Sequence, residues 1–181
     1  STKPKLLCLS RSYLSKLLPT LAQNDDLFDY LHIVQTDKEE LVVKALGGHV
    51  VMNLQSTIRD ALAETSTTSW SEPEDFREIT KFDWSAISSD RYLIHFKEHK
   101  RVIIAGALQK AFSVLFEKYK FEGFLSEPVA LFVTHLIFYH CQKNNVKPLL
   151  WCNTYFSDHF YFAEKMEIST PIRHHPLEKV N

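Results

Sequence analysis

Two short apolar runs around a helix-length one constrain this chain more than any other feature. Residues 121–125 (Phe121-Glu122-Gly123-Phe124-Leu125) and 148–152 (Pro148-Leu149-Leu150-Trp151-Cys152) have strand length, and residues 129–143 between them form an apolar run of helical length. A strand–helix–strand unit of this size pairs its strands in parallel, with the helix crossing one face of the sheet. Polar residues follow both strands: Ser126-Glu127-Pro128 after the first, and residues 153–159 after the second. In an open α/β sheet the C-terminal strand ends are where ligands sit.

The N-terminal third repeats the rhythm. Residues 5–9 read as a first strand, and Ser10-Arg11-Ser12 supply N-cap candidates for a helix reaching Gln23, with Pro19 inside it to kink it or delay its start. Residues 30–35 read as a second strand. Thr36 and Glu39 then have capping-box spacing for a helix over 38–46, with Gly47-Gly48 as its stop. Residues 49–54 complete βαβαβ. Residues 55–90 break the pattern: they are rich in Ser, Thr, Glu and Asp around Trp70 and Trp84, with a helix expected over 56–64 and an excursion beyond it. Residues 91–120 are helical by period, with Ile104, Leu108, Phe112, Leu115, Phe116 and Tyr119 on one stripe. The expected fold is a three-layer, Rossmann-like α/β domain over residues 1–170. Its sheet has about five mainly parallel strands in the order 3-2-1-4-5, with helices on both faces, and residues 171–181 form a tail or linker.

Composition removes several function classes. The 181 residues are 45% hydrophobic and 13% aromatic with a net charge of −1, which argues for a packed globule and against nucleic acid as a partner. Cys8, Cys141 and Cys152 lie in apolar runs and read as buried thiols of a reducing compartment. No apolar run approaches the roughly 20 residues of a membrane span, so the expected location is cytoplasmic, with at most peripheral association at the inner membrane face. The turn after the first strand lacks Gly-x-Gly-x-x-Gly, and the chain has four glycines in all, which excludes a dinucleotide fingerprint. Walker, Cys-x-x-Cys and Gly-x-Ser-x-Gly motifs are also missing, and no cofactor is expected.

Five groups of residues carry potential chemistry. Ser10, Arg11 and Ser12 stand where helix N-terminal N–H groups can hold an anion, although the serines also serve as simple caps. Glu127 stands at the expected switch point between the first and fourth strands. There it can accept a hydrogen bond from a sugar hydroxyl or act as a base, and Glu127-Pro128 can equally be an ordinary helix start. Residues 153–162 mix Asn153, Tyr155, Asp158 and His159 with aromatic rings, a combination that suits the apolar faces and hydroxyl rims of sugars. His135 and His140 are five apart, about 140° around a helix, and cannot share a metal. His95 and His99 have i, i+4 spacing in a charged stretch without a third ligand, so no metal site is expected.

Glu127-Pro128 after a strand, the apolar helix 129–141, and the strand and aromatic–polar loop over 149–162 together resemble capsule and surface-polysaccharide biosynthesis proteins of the two-domain (GT-B-like) glycosyltransferase type. Residues 6–18 and 38–54 also look like the N-terminal Rossmann-like domain of such enzymes. The resemblance implies an acceptor-side domain, inactive alone, that works with a second Rossmann-like domain on a carbohydrate acceptor and a nucleotide sugar. It implies Glu127 or His159 as the catalytic base, with Ser10, Arg11, Ser12, Asn153, Tyr155 and Asp158 at the substrate. Two other readings stay open: a stand-alone flavodoxin-like regulatory module, and a small phosphate-ester or nucleotide-binding enzyme that uses the Ser10-Arg11-Ser12 turn.

Overall fold

The computed structural model describes residues 3–64, 70–88, 90–128, 131–153 and 160–164. The elements run β1 (Lys5–Leu9), α1 (Leu14–Gln23), β2 (Asp29–Val34), α2 (Asp37–Ala45), β3 (His49–Asn53), α3 (Leu54–Ala63), α4 (Phe76–Thr80), α5 (Trp84–Ile87), a 3-10 turn (Leu93–His95), α6 (Glu98–Lys118), β4 (Phe121–Ser126), α7 (Phe132–Lys143), β5 (Lys147–Asn153) and β6 (Phe160–Ala163). The sheet order is β3-β2-β1-β4-β5-β6. The first five strands are parallel and β6 pairs antiparallel with β5. The fold is therefore the expected Rossmann-like α/β layout, with one edge strand added where the sequence reads as loop.

Alternation along β1 builds both layers. Leu7 and Leu9 face the larger core, made with Phe76, Ile104, Phe112, Phe124 and Leu136. Leu6 and Cys8 face a thinner core with Leu14, Leu18 and Leu125. Successive residues of a strand point to opposite faces, so a fully apolar strand marks the buried centre of a two-sided sheet. β1 holds that position, between β2 and β4.

The described part of the excursion, residues 70–88, packs against the larger core. Trp70 packs at ring-centroid distances of 4.8 Å from Trp84 and 6.0 Å from Phe132, and Phe76 lies 5.5 Å from Tyr139. Asp90 ends the excursion as a double cap. Its Oδ1 accepts from the Tyr92 and Leu93 N–H groups, and its Oδ2 accepts from Phe132 N–H at 2.8 Å. α7 thus starts at Phe132, several residues after Glu127-Pro128, so Pro128 is not its first-turn proline. α2 keeps its Thr36–Glu39 capping box, and Gly47 ends it at φ 73°. α6 begins at Glu98, so Lys97 to Lys100 are its exposed N-cap and start, while Arg101 is half-buried and donates to the Phe96 and Ser88 carbonyls.

The three cysteines are free and buried. Among the described residues no helix is long and apolar enough to cross a membrane.

Candidate functional site at the C-terminal edge of the central strands

β1 and β4 are neighbours whose connections run to opposite faces, so a crevice opens where their C-terminal ends diverge. Arg11, just beyond β1, spans it. Its Nη1 donates to Glu127 Oε1 at 2.8 Å and its Nε donates to Gln35 Oε1 at 2.9 Å. The side chains are 9% exposed for Arg11 and 18% for Glu127, so the pair is largely buried at this strand edge with the carboxylate nearer solvent. A guanidinium fork suits this task, because it bridges two acceptors in fixed geometry. Gln35 follows β2 directly, so three successive strand ends contribute to one polar line.

Tyr13 adds a phenol to the same edge. Its hydroxyl is pushed above the usual phenol range, first by partial burial and then by the negative charge of Glu127, with Arg11 opposing. The ring is 46% exposed, so the group faces outward. Tyr13 and Gln35 were not singled out from the sequence. The signal that finds Gln35 is the rule that picked out Glu127: a polar residue directly after a parallel strand. Tyr13 carries no such signal, because the turn geometry alone brings it to the edge.

The Ser10-Arg11-Ser12 turn is organised by internal partners. Ser10 is fully buried, its N–H donates to the Ile33 carbonyl at 2.8 Å, and its Oγ shares a 2.7 Å hydrogen bond with His32 Nδ1. Burial drives the His32 imidazole down to about 4, so this is a neutral, sealed pair rather than a nucleophile and base. Ser12 adopts φ 51°, and its N–H donates to Glu39 Oε1 at 2.7 Å. The other oxygen of Glu39 accepts from the Gln35 and Thr36 N–H groups. An anion at this turn would have to displace the Glu39 carboxylate. The helix it precedes begins only at Leu14, with Tyr13 at the N-cap and no side-chain cap, so the serines do not cap α1.

The structure therefore brings Arg11 and Glu127 together, buries Ser10, and commits the Ser12 N–H to Glu39. Tyr155, Asp158 and His159 lie outside the described residues. Asn153 ends β5, paired with Phe160, and only its backbone is described. His135 is a core residue, with its ring 4.4 Å from Phe82. His95 and His99 are exposed on separate helical segments. Among the described residues no group of three or more His, Cys, Asp or Glu is placed to hold a metal ion. Comparison with protein-family models, curated proteins and solved structures gave no match for the chain.

Proposed function

We propose that this chain is the acceptor-side, N-terminal Rossmann-like domain of a glycosyltransferase-like protein of capsule or surface-polysaccharide assembly. The observation that carries the reading is the Gln35–Arg11–Glu127 line across the C-terminal ends of β1, β2 and β4. Arg11 fixes one oxygen of Glu127, and the other has no partner among the described residues. A carboxylate so held is a ready acceptor for a sugar hydroxyl, and it is positioned to take that hydroxyl's proton when the oxygen attacks a donor carbon. Tyr13 supplies a ring and a hydroxyl beside it, the combination that sugar faces and rims require. The donor nucleotide sugar would bind a second Rossmann-like domain, and the reaction would occur between the two. The reading implies a cytoplasmic protein that works at the inner face of the membrane.

The test is titration of the chain with oligosaccharides and with nucleotide sugars, followed by NMR shifts of the Arg11 side chain and the Gln35 amide. Glycan binding is expected to perturb both signals, and Glu127→Gln should weaken it about tenfold or more by removing a charge-assisted hydrogen bond. Nucleotide sugars should bind far more weakly than glycans. Tight nucleotide binding, or glycan binding indifferent to Glu127→Gln, would sink the reading.

A further inference from the structure

A cavity of about 790 Å³ opens between α3, the 3-10 turn, α6 and the start of α7. This lies within the range of ligand pockets, roughly 300–1,000 Å³. We propose that it binds a single-chain fatty carboxylate, with the hydrocarbon inside and the carboxylate at the mouth.

The walls argue for the chain. Leu54, Ile58, Leu62, Leu93, Ile104 and Leu108 line the cavity, and all are aliphatic. Leu54, Leu93, Ile104 and Leu108 are at most 5% exposed and belong to the larger core, so they form the floor of an open groove whose sides are α3 and the 3-10 turn. Phe96 and Phe132 complete the apolar lining, and branched aliphatic walls offer many weak contacts to a flexible chain.

The mouth argues for the head group. Asp90 is the one acid there, and its two oxygens already accept three backbone N–H groups. Gln35 gives its carbonyl oxygen to Arg11 Nε, and Gln55 gives its own to Asp37 N–H at 3.0 Å. Both amides are thereby oriented, and their NH₂ groups have no partner among the described residues. Arg59 is exposed and meets Asp37 through Nη1 alone at 3.3 Å, so the rest of its fork is unspent. The mouth thus offers two oriented amide donors and a guanidinium, with the exposed Tyr92 and His95 beside them, a set that complements an oxyanion. This site shares Gln35 with the Arg11–Glu127 line but does not depend on the transferase reading, because Arg59→Ala and the tryptophan variants test it apart from Glu127→Gln.

The experiment is calorimetric titration of the whole chain with dodecanoate below its critical micelle concentration, together with octanoate, dodecan-1-ol and dodecyl phosphate. One dodecanoate per chain is expected, with a rise in melting temperature. Octanoate should bind about two-hundredfold more weakly, because four buried methylenes are lost. Dodecan-1-ol, and dodecanoate against Arg59→Ala, should each bind at least fivefold more weakly. Leu62→Trp fills the cavity and should abolish binding. Ile58→Trp does the same from the adjacent turn of α3 if the first variant does not fold, with far-UV circular dichroism as the control. No one-to-one binding, or binding unchanged in the folded tryptophan variant, overturns the site. An alcohol that binds as tightly as the carboxylate overturns the head-group assignment, as does a phosphate that binds tenfold more tightly.

Discussion

Three histidines make the stability of this domain depend steeply on pH between about 6.5 and 4. His32, His135 and His140 are 0%, 4% and 6% exposed. Burial brings each imidazole down to about 4, with the His49 charge adding to the effect at His32 and Asp90 opposing it at His135. The ordinary imidazole titrates near 6.5 in the unfolded chain. Between those values the unfolded state binds protons that the folded state does not, so stability is full above pH 6.5 and falls as the pH drops toward 4. At pH 5.5 each histidine removes about 1.4 kcal/mol, and the three together about 4 kcal/mol. At pH 5 the loss is about 6 kcal/mol, comparable with the whole 5–15 kcal/mol of a typical domain. The limiting slope is about 4 kcal/mol per pH unit, the signature of three protons. Asp25, Glu40 and Asp75 have carboxyls held below their usual range, so their contribution is lost only as the pH falls below about 5 and leaves the range above it to the histidines. Urea unfolding from pH 7.5 to 5, followed by tryptophan fluorescence and circular dichroism, measures the slope directly. His140, whose ring stacks 5.4 Å from Phe116, offers the control. His140→Leu should lower the slope to about two protons, or about 2.7 kcal/mol per pH unit. A wild-type slope below one proton between pH 5 and 6 would refute the account of three neutral buried imidazoles.

Other perturbations follow from single contacts. A Cβ at Gly48 would stand 2.5 Å from Val43 Cγ1 and 3.1 Å from His32 Cδ2, so Gly48→Ala should cost about 1–3 kcal/mol in a denaturant midpoint. A variant as stable as wild type would mean that this turn yields easily. Asp90→Ala removes the cap from both the 3-10 turn and α7 and should cost about 1–2 kcal/mol, with faster amide exchange at Leu93 and Phe132. Unchanged exchange at Phe132 would contradict the long-range cap. Burial pushes the Cys8 and Cys141 thiols up, and Cys152 is buried too, so a thiol reagent should label none of the three in the native state and all three in urea. One fast-reacting thiol would show that a strand or α7 opens.

The strands are legible because they are short apolar runs at the buried centre of the sheet: Leu6 to Leu9 is unbroken in β1, while His32 and Glu122 interrupt β2 and β4. The helices between them carried local stop and start signals, such as Thr36–Glu39 and Gly47. The β6 strand was not legible. Its pairing with β5 is non-local, and its aromatics at Tyr161 and Phe162 are nearly half exposed, so they suggested a loop. The start of α7 was misplaced because its cap, Asp90, lies 42 residues upstream. At the site, Glu127 was found by position. Its partner Arg11 reads from the sequence as an anion contact or a solvated side chain, because no sequence rule links residues 116 apart. Glu39, the glutamate that occupies the turn, reads from its spacing only as half of a capping box. A carboxylate with two oxygens serves both turns, and local spacing reveals only one of them.

The place of β1 at the middle of the sheet has a consequence for the birth of the protein. Its first neighbour, β2, is translated within about two dozen residues, so that pairing is local and quick. Its other neighbour, β4, follows only after α3 and the whole excursion have been made, with Lys5 opposite Phe121. During that interval the nascent chain holds its most apolar strand with one side unpaired, an edge open to other chains. Synthesis speed between residues 55 and 120 therefore sets how long this chain is vulnerable to aggregation on the ribosome.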